Sequence, residues 1–93
     1  TQGAMIAVPD NEIIAAIPEL ARLTGVFGEP SCTAVYAGAK RAVQSGLLDK
    51  NESVLLLMTG NGLKDIRRAQ QSVAHGLRVQ PNLQSIRQAL DIG

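Results

Sequence analysis

Aromatic residues are almost absent from this 93-residue chain, which has no tryptophan, one phenylalanine (Phe27) and one tyrosine (Tyr36). Large rings supply much of the buried area of a small core, and a chain of this length buries only part of its surface when it folds alone. Hydrophobic residues reach an ordinary 45%, so the core must be built from Ile, Leu, Val and Ala. This composition favours segments that pack into a larger body, and one domain is the most that the length allows.

The sequence contains a single cysteine, Cys32. One cysteine excludes an internal disulfide and leaves most metal-ligand patterns incomplete, so no metal site is predicted. This sparing use fits a reducing, cytoplasmic setting. No histidine or metal-type spacing accompanies Cys32, which is therefore predicted to be a small, buried, apolar side chain.

The chain also lacks a large excess of charge of either sign and long apolar runs. The formal net charge is +1, so no strong field for nucleic acid or an anionic membrane is predicted. Apolar runs such as residues 54–58 are far too short to cross a bilayer. No signal peptide is visible and the chain has no initiator methionine, so Thr1 is expected to be an internal cut rather than a natural start.

Turn residues and periodicity predict a strand and then a helix at the start of the chain. Residues 4–8 form a short apolar segment between turn residues, which is typical of a strand. Asp10 is a candidate N-cap for a helix whose apolar residues follow helical spacing and which ends at Gly25. Pro18 lies inside this pattern and is expected to kink or split the helix.

A second helix is predicted over residues 31–45, with Ser31 as its cap and Gly46 as its end. Residues 32–39 carry no charge and are mostly small. Because a helix that is apolar all round is buried, residues outside this chain are expected to cover it. The isolated chain is accordingly expected to self-associate.

Residues 53–58 begin with Ser53 and are otherwise entirely apolar. This is expected for a strand that is covered on both faces of a parallel sheet. The order strand, helix, helix, strand implies a parallel crossover. The predicted fold class is α/β, with a short parallel sheet of two or three strands and flanking helices. Two further helices are predicted, over residues 65–74 and from a cap at Asn82 to about Leu90.

A glycine-rich loop, residues 59–65, follows the second predicted strand. Ligands bind beyond the carboxyl ends of strands in open α/β sheets. Gly60 and Gly62 permit close approach of the backbone, and Thr59 supplies a neutral hydroxyl that can donate and accept. The pattern alone fits equally well a tight turn in which Thr59 is a hydrogen-bonded strand end. A phosphate loop is a weaker hypothesis, because no Gly-Lys-Ser/Thr follows.

Several segments carry a resemblance to a known family. Residues 8–13 match a Val-x-Asp-x-Glu-Ile helix start, and residues 27–34 match a Phe-x-Glu-Pro-Ser/Ala-Gly-Ala-Ala segment. Residues 57–65 match a C-terminal signature, and residues 79–83 match the region after it. Taken in this order, the four segments resemble the sequences of threonine synthases, which are fold-type-II pyridoxal-phosphate (PLP) enzymes. The resemblance implies that residues 1–93 are an incomplete C-terminal portion of such an enzyme.

The resemblance also implies a cofactor, a reaction and site residues. The full-length enzyme would use PLP to convert O-phosphohomoserine and water to threonine and phosphate. Thr59 would hydrogen-bond the pyridine nitrogen of PLP, with Gly60 beside it. Glu29 and Ser31 are weaker candidates near the ring edge, and a plain turn or helix-start role for Glu29 is favoured. A neutral hydroxyl does not hold that nitrogen protonated as a carboxylate would, which suits elimination and replacement chemistry.

Two positions depart from the family pattern: Asn61 stands where it commonly has His, and Cys32 where it usually has Gly. These departures leave a cysteate synthase or a threonine or serine dehydratase as alternatives. A non-catalytic binding or dimerisation module of the same fold is a separate alternative. In the family the cofactor-anchoring lysine and the phosphate cup lie upstream, so no catalytic residue is predicted here and Lys64 is interpreted as a solvated lysine. The isolated chain is expected to be inactive.

The implied partners are an amino-acid phosphate substrate and further copies of the protein in a homo-oligomer. No nucleic-acid or membrane partner is predicted, because the basic residues form no stripe and aromatic residues are nearly absent.

Overall fold

A computed structural model describes residues 2–91 of the chain, and its regular structure is helical. The helices, in chain order, are α1 (Asp10–Thr24), α2 (Pro30–Gln44), a 3₁₀-helix (Gly62–Asp65), α3 (Ile66–Gln71) and α4 (Leu83–Ala89).

The ends of α1 are set by local chemistry. The N-cap is Pro9, which makes no side-chain capping bond, and Asp10 is the first helical residue. The predicted cap at Asp10 is therefore wrong by one position, although its carboxylate still lies at the positive end of the helix dipole. At the other end Gly25 adopts the left-handed conformation (φ 77°) and its N–H donates to the Ala21 carbonyl, which confirms the predicted stop.

Pro18 does not split α1, contrary to one of the two expectations for it. The helix is continuous from Asp10 to Thr24 with Pro18 inside it. An interior proline costs about 3 kcal/mol, because it removes one backbone hydrogen bond and crowds the preceding turn. The flanking side chains Ile17 and Leu20 are buried, and this burial offsets part of that cost.

The second helix begins one residue earlier than expected. Its N-cap is Glu29 and its first residue is Pro30, which suits that position because proline has no N–H to leave unpaired. Ser31 lies within the first turn, so its predicted capping role is wrong. The helix ends at Gln44, and Gly46 follows with φ 79°.

The core lies between α1 and α2 and is made mostly of small side chains. Its buried members are Ala16, Ile17, Leu20, Cys32, Thr33, Ala37 and Ala42. The small residues of α2 allow the two helices to pack closely. Val35 and Val43 on the same helix are 39% and 41% exposed, so the described residues bury one face of α2 and leave another open.

The predicted parallel sheet is wrong. Within residues 2–91 no strand forms, and residues 4–8 and 53–58 have no regular secondary structure. The one β-type contact of this region is an isolated antiparallel bridge between Gly28 and Asn61. Leu55 is 84% exposed, so the second segment is not a buried strand. An apolar run indicates that a segment can be buried, whereas a strand requires a backbone partner, and no backbone hydrogen bond joins either segment to another described segment.

The first helix after the glycine loop is shorter than predicted, and the second has nearly its predicted bounds. The expected helix over residues 65–74 ends at Gln71 and is preceded by the 3₁₀-helix. Asp65 caps α3, since its carboxylate accepts from the Arg68 N–H at 3.1 Å. The predicted Asn82 cap of α4 is confirmed, because its side-chain oxygen accepts from the Ser85 N–H at 2.8 Å.

The chain is extended rather than compact. Its radius of gyration is 17.6 Å and its dimensions are 60 × 27 × 21 Å, whereas a compact chain of this length has a radius of about 12 Å. Leu83 of α4 is 61% exposed, so this helix adds little to a common core. No helix in residues 2–91 combines the length and apolarity needed to cross a membrane.

Two ion pairs join α1 to α2 at their exposed edge. The Arg41 guanidinium donates to both carboxylate oxygens of Glu12, at 2.8 and 2.7 Å. The Lys40 ammonium lies 2.6 Å from a Glu19 oxygen. Pairs at this exposure contribute little each, but the bidentate geometry of Arg41 fixes the orientation of the two helices.

These pairs predict an acid-sensitive contact between the helices. The hydrogen bond from Arg41 lowers the pKa of Glu12 from its ordinary value of 4.5, and the hydrogen bond from Lys40 lowers the pKa of Glu19 in the same way. A lowered folded-state pKa gives a stabilisation that is present above pH 4.5 and lost as the pH falls through the folded value. We expect the urea concentration at the unfolding midpoint to decrease when the pH is lowered from about 7 to about 3. The decrease should be smaller in Glu12→Gln.

The matched control for this prediction is Glu52→Gln. Glu52 is exposed and forms no ion pair with any described residue, so this variant should keep the acid dependence of the unmodified chain. An equal loss of stability on acidification in Glu12→Gln and in the unmodified chain would contradict the assignment.

Candidate functional site

The candidate site lies where the segment before α2 meets the glycine loop. The Glu29 N–H donates to the Gly60 carbonyl at 3.1 Å, and the Gly62 N–H donates to the Phe27 carbonyl at 3.0 Å. These two bonds form the bridge between Gly28 and Asn61. They bring Glu29 and Gly60, two of the residues singled out from the sequence, into direct contact.

Glycines lie at two close points of this contact. A Cβ on Gly60 would overlap the Glu29 carboxyl group, and a Cβ on Gly62 would overlap the Phe27 ring. Neither glycine is in a left-handed conformation, so close approach, not backbone freedom, accounts for both. The sequence indicated that something approaches these glycines closely, and the structure identifies the approaching side chains.

Cys32 is buried, as predicted, and it also makes polar contacts. It is 2% exposed. Its sulfur lies 3.0 Å from the Gly60 carbonyl oxygen and 3.4 Å from the Glu29 carbonyl oxygen, and its single S–H proton donates to the nearer one, that of Gly60. The interpretation as a simple apolar side chain is therefore incomplete, because this thiol links the first turn of α2 to the glycine loop.

A buried hydroxyl lies beside this link. Thr33 is fully buried and its Oγ1 has no hydrogen-bond partner among the described residues. A Cβ added at Gly28 would lie 2.7 Å from that oxygen, so Gly28 makes room for it. A buried, unpaired hydroxyl costs about 1 to 3 kcal/mol. Thr33 is not predicted as a site residue from the sequence, because a lone threonine in a helix of small residues has no distinguishing pattern.

Glu29 is held over the loop by its neighbours. Its side chain is 16% exposed, and the Lys64 ammonium lies 3.4 Å from its carboxylate. Lys64 itself is 70% exposed, which confirms the solvated lysine expected from the sequence. The pair places one carboxylate and one ammonium beside Gly60.

Thr59 directly precedes these contacts. Its side chain is exposed, and its hydroxyl makes no hydrogen bond with the described residues. This hydroxyl is therefore free to bond a ligand as donor or acceptor. Ser31 is exposed as well, but it lines a different cleft, between α1, α2 and α3, together with Asp10 and Arg68. The structure thus groups Thr59, Gly60 and Glu29, and sets Ser31 apart.

Asn61, one of the two departures from the family pattern, has a role within the loop. Its side-chain oxygen accepts from the Leu63 N–H at 2.9 Å and so caps the 3₁₀-helix. The Asn61 carbonyl accepts from the Lys64 N–H at 3.0 Å. These bonds order the turn that follows Gly60. No group of three or more His, Cys, Asp or Glu side chains in residues 2–91 is placed to hold a metal ion.

Comparisons with known proteins agree on one family. The family model described as "Pyridoxal-phosphate dependent enzyme" matches residues 1–60, which is more than half of the chain and includes Thr59 and Gly60.

Curated relatives extend this match to most of the chain. It is 39% identical over 82 residues to a threonine synthase of Halalkalibacterium halodurans, covering 88% of this chain and 23% of the relative. It is 45% identical over 65 residues to a threonine synthase of Bacillus sp., covering 70% and 18%. It is 32% identical over 88 residues to that of Methanocaldococcus jannaschii, covering 95% and 22%. The chain thus spans about a fifth of the length of the curated relatives it matches.

Proposed function

Since the chain belongs to the pyridoxal-phosphate-dependent enzyme family, we propose that it is the C-terminal part of a threonine synthase. Pyridoxal phosphate is the cofactor that this membership implies, and the resemblance to threonine synthases stated from the sequence is confirmed. The proposed reaction of the full-length protein converts O-phosphohomoserine and water to threonine and phosphate. The observation that carries the proposal is the exposed Thr59 hydroxyl, which bonds none of residues 2–91, on a loop that two backbone hydrogen bonds attach to the start of α2.

The donor set of this site fits the cofactor. Thr59 would hold the pyridine nitrogen, because its hydroxyl is available and can donate or accept. Gly60 lets the Glu29 carboxyl group lie directly against the loop. This places Glu29 next to the residue after Thr59, where it would limit access of water to one side of the cofactor.

The chemistry of the proposed site divides between the cofactor and the chain. When bound, pyridoxal phosphate supplies an electron-withdrawing ring that stabilises negative charge at the substrate carbon. Thr59 would orient the ring through a neutral hydrogen bond, and its hydroxyl would not retain a proton on the ring nitrogen as a carboxylate would. A less strongly electron-withdrawing ring suits elimination and replacement at the β and γ positions. Asn61 is engaged within the loop, so the departure at this position supports a change of substrate only weakly.

The isolated chain is proposed to be inactive. The resemblance implies that threonine synthases anchor the cofactor with a lysine and bind its phosphate in a cup. Neither of these corresponds to a residue of this chain. The contacts that Thr59, Gly60 and Glu29 can supply form one side of a site. A single neutral hydrogen bond of about 1 kcal/mol does not bind a cofactor tightly.

The test uses the full-length protein that would contain this chain. We expect bound cofactor in its absorbance spectrum, a spectral change on addition of O-phosphohomoserine, and release of phosphate. O-phosphoserine with sulfite, and threonine alone, serve as competing substrates for the cysteate synthase and dehydratase alternatives. A full-length protein that bound no cofactor would overturn the enzyme proposal, and turnover of only a competing substrate would overturn the threonine synthase assignment.

A further inference from the structure

The Gly60 carbonyl accepts two hydrogen bonds from the region around the start of α2. One comes from the Glu29 N–H at 3.1 Å and the other from the Cys32 thiol at 3.0 Å. Glycine has more backbone freedom than any other residue, so the orientation of the backbone at Gly60 depends on contacts from outside the loop. Among the described residues, Cys32 is the one whose side chain donates a hydrogen bond to the Gly60 carbonyl.

The thiol occupies a space that fits it closely. A Cβ added at Gly28 would lie 2.9 Å from the Cys32 sulfur, and Cys32 is 2% exposed. The sulfur therefore lies close to both Gly28 and the Gly60 carbonyl oxygen. The sulfur has two carbonyl oxygens within hydrogen-bond distance and almost no contact with solvent, which points to a structural task at the site.

We propose that Cys32 is a positioning residue that holds the Thr59–Gly60 backbone in the orientation needed for the Thr59 hydroxyl to meet the cofactor. The inference rests on the proposed function and adds a residue to it. When the thiol bond is absent, Gly60 samples more orientations, and binding of the cofactor has to restrict them. That restriction costs conformational entropy at the moment of binding. Cofactor affinity falls although Cys32 does not itself touch the ligand.

The test compares Cys32→Ala, which removes the donor, with Cys32→Ser, which keeps one, in the full-length protein. Cys32→Ala should weaken cofactor binding by about threefold to tenfold, the range expected for one lost hydrogen bond. Cys32→Ser should stay within about twofold of the unmodified protein. Ala42→Gly is the matched control, since it weakens the same helix at a buried position far along it. It should lower thermal stability and leave cofactor affinity unchanged.

Hydrogen exchange provides a readout that does not depend on the cofactor. The Glu29 amide donates to the same carbonyl as the thiol, so its exchange should be about threefold to tenfold faster in Cys32→Ala and near normal in Cys32→Ser. Unchanged exchange in Cys32→Ala, or equal losses in the alanine and serine variants, would overturn the inference. Absence of cofactor from the unmodified protein would instead overturn the proposed function, while the exchange rates would still decide whether Cys32 orders the loop.

Discussion

Replacing Thr59 with valine is expected to lower kcat/KM of the full-length enzyme by about tenfold to a hundredfold. Valine has nearly the shape of threonine but no hydroxyl. The side chain is exposed and bonds no described residue, so the substitution removes little from the fold. What it removes is the proposed partner of the cofactor nitrogen, and we expect the absorbance of the bound cofactor to change together with the rate.

Two variants distinguish this effect from a general disturbance. Thr59→Ser keeps the hydroxyl and should retain kcat/KM within about threefold. Thr24→Val makes the same chemical change at the end of α1, where the hydroxyl donates to the Leu20 carbonyl and accepts from the Val26 N–H. It should lower stability without changing kcat/KM. A Thr59→Val enzyme with normal kinetics and a normal cofactor spectrum would refute the role assigned to Thr59.

Gly62→Ala is expected to lower the free energy of unfolding of the chain by about 1 to 3 kcal/mol. The new methyl group would overlap the Phe27 ring. The backbone cannot shift to relieve this overlap without lengthening the 3.0 Å bond from the Gly62 N–H to the Phe27 carbonyl. Either the ring moves or the bridge between the two segments opens. Urea titration at a fixed protein concentration measures the change.

A double-mutant cycle identifies the cause. In a Phe27→Ala background the overlapping ring is gone, so Gly62→Ala should cost less than it does in the unmodified chain. Gly76→Ala is the control, because no atom lies within 4 Å of its added Cβ. That variant should stay within about 0.5 kcal/mol of the unmodified chain. An equal penalty for Gly62→Ala with and without the Phe27 ring would exclude the steric explanation.

The contacts between the start of α2 and the glycine loop explain why so little of the site could be predicted in detail. Thr59, Gly60 and Glu29 were singled out from motifs, and their grouping follows from two backbone hydrogen bonds across about thirty residues of sequence. The Cys32 thiol was interpreted as an apolar group because no partner stands near it in the sequence. Its partner, the Gly60 carbonyl, is a backbone atom that every residue possesses, so no residue type could have indicated it.

The sequence by itself determined the features that depend on neighbouring residues. The glycine stop of α1 at Gly25 and the cap at Asn82 each need only a local bond. The family membership is likewise visible in the sequence, since the family model matches residues 1–60. The tertiary structure alone decided which segments pair. Residues 4–8 and 53–58 have strand-like composition but no backbone partner within the described part of the chain, whereas Gly28 and Asn61 pair although neither resembles a strand residue. Pairing is a contact between distant segments, and its free energy depends on groups that a local pattern does not contain.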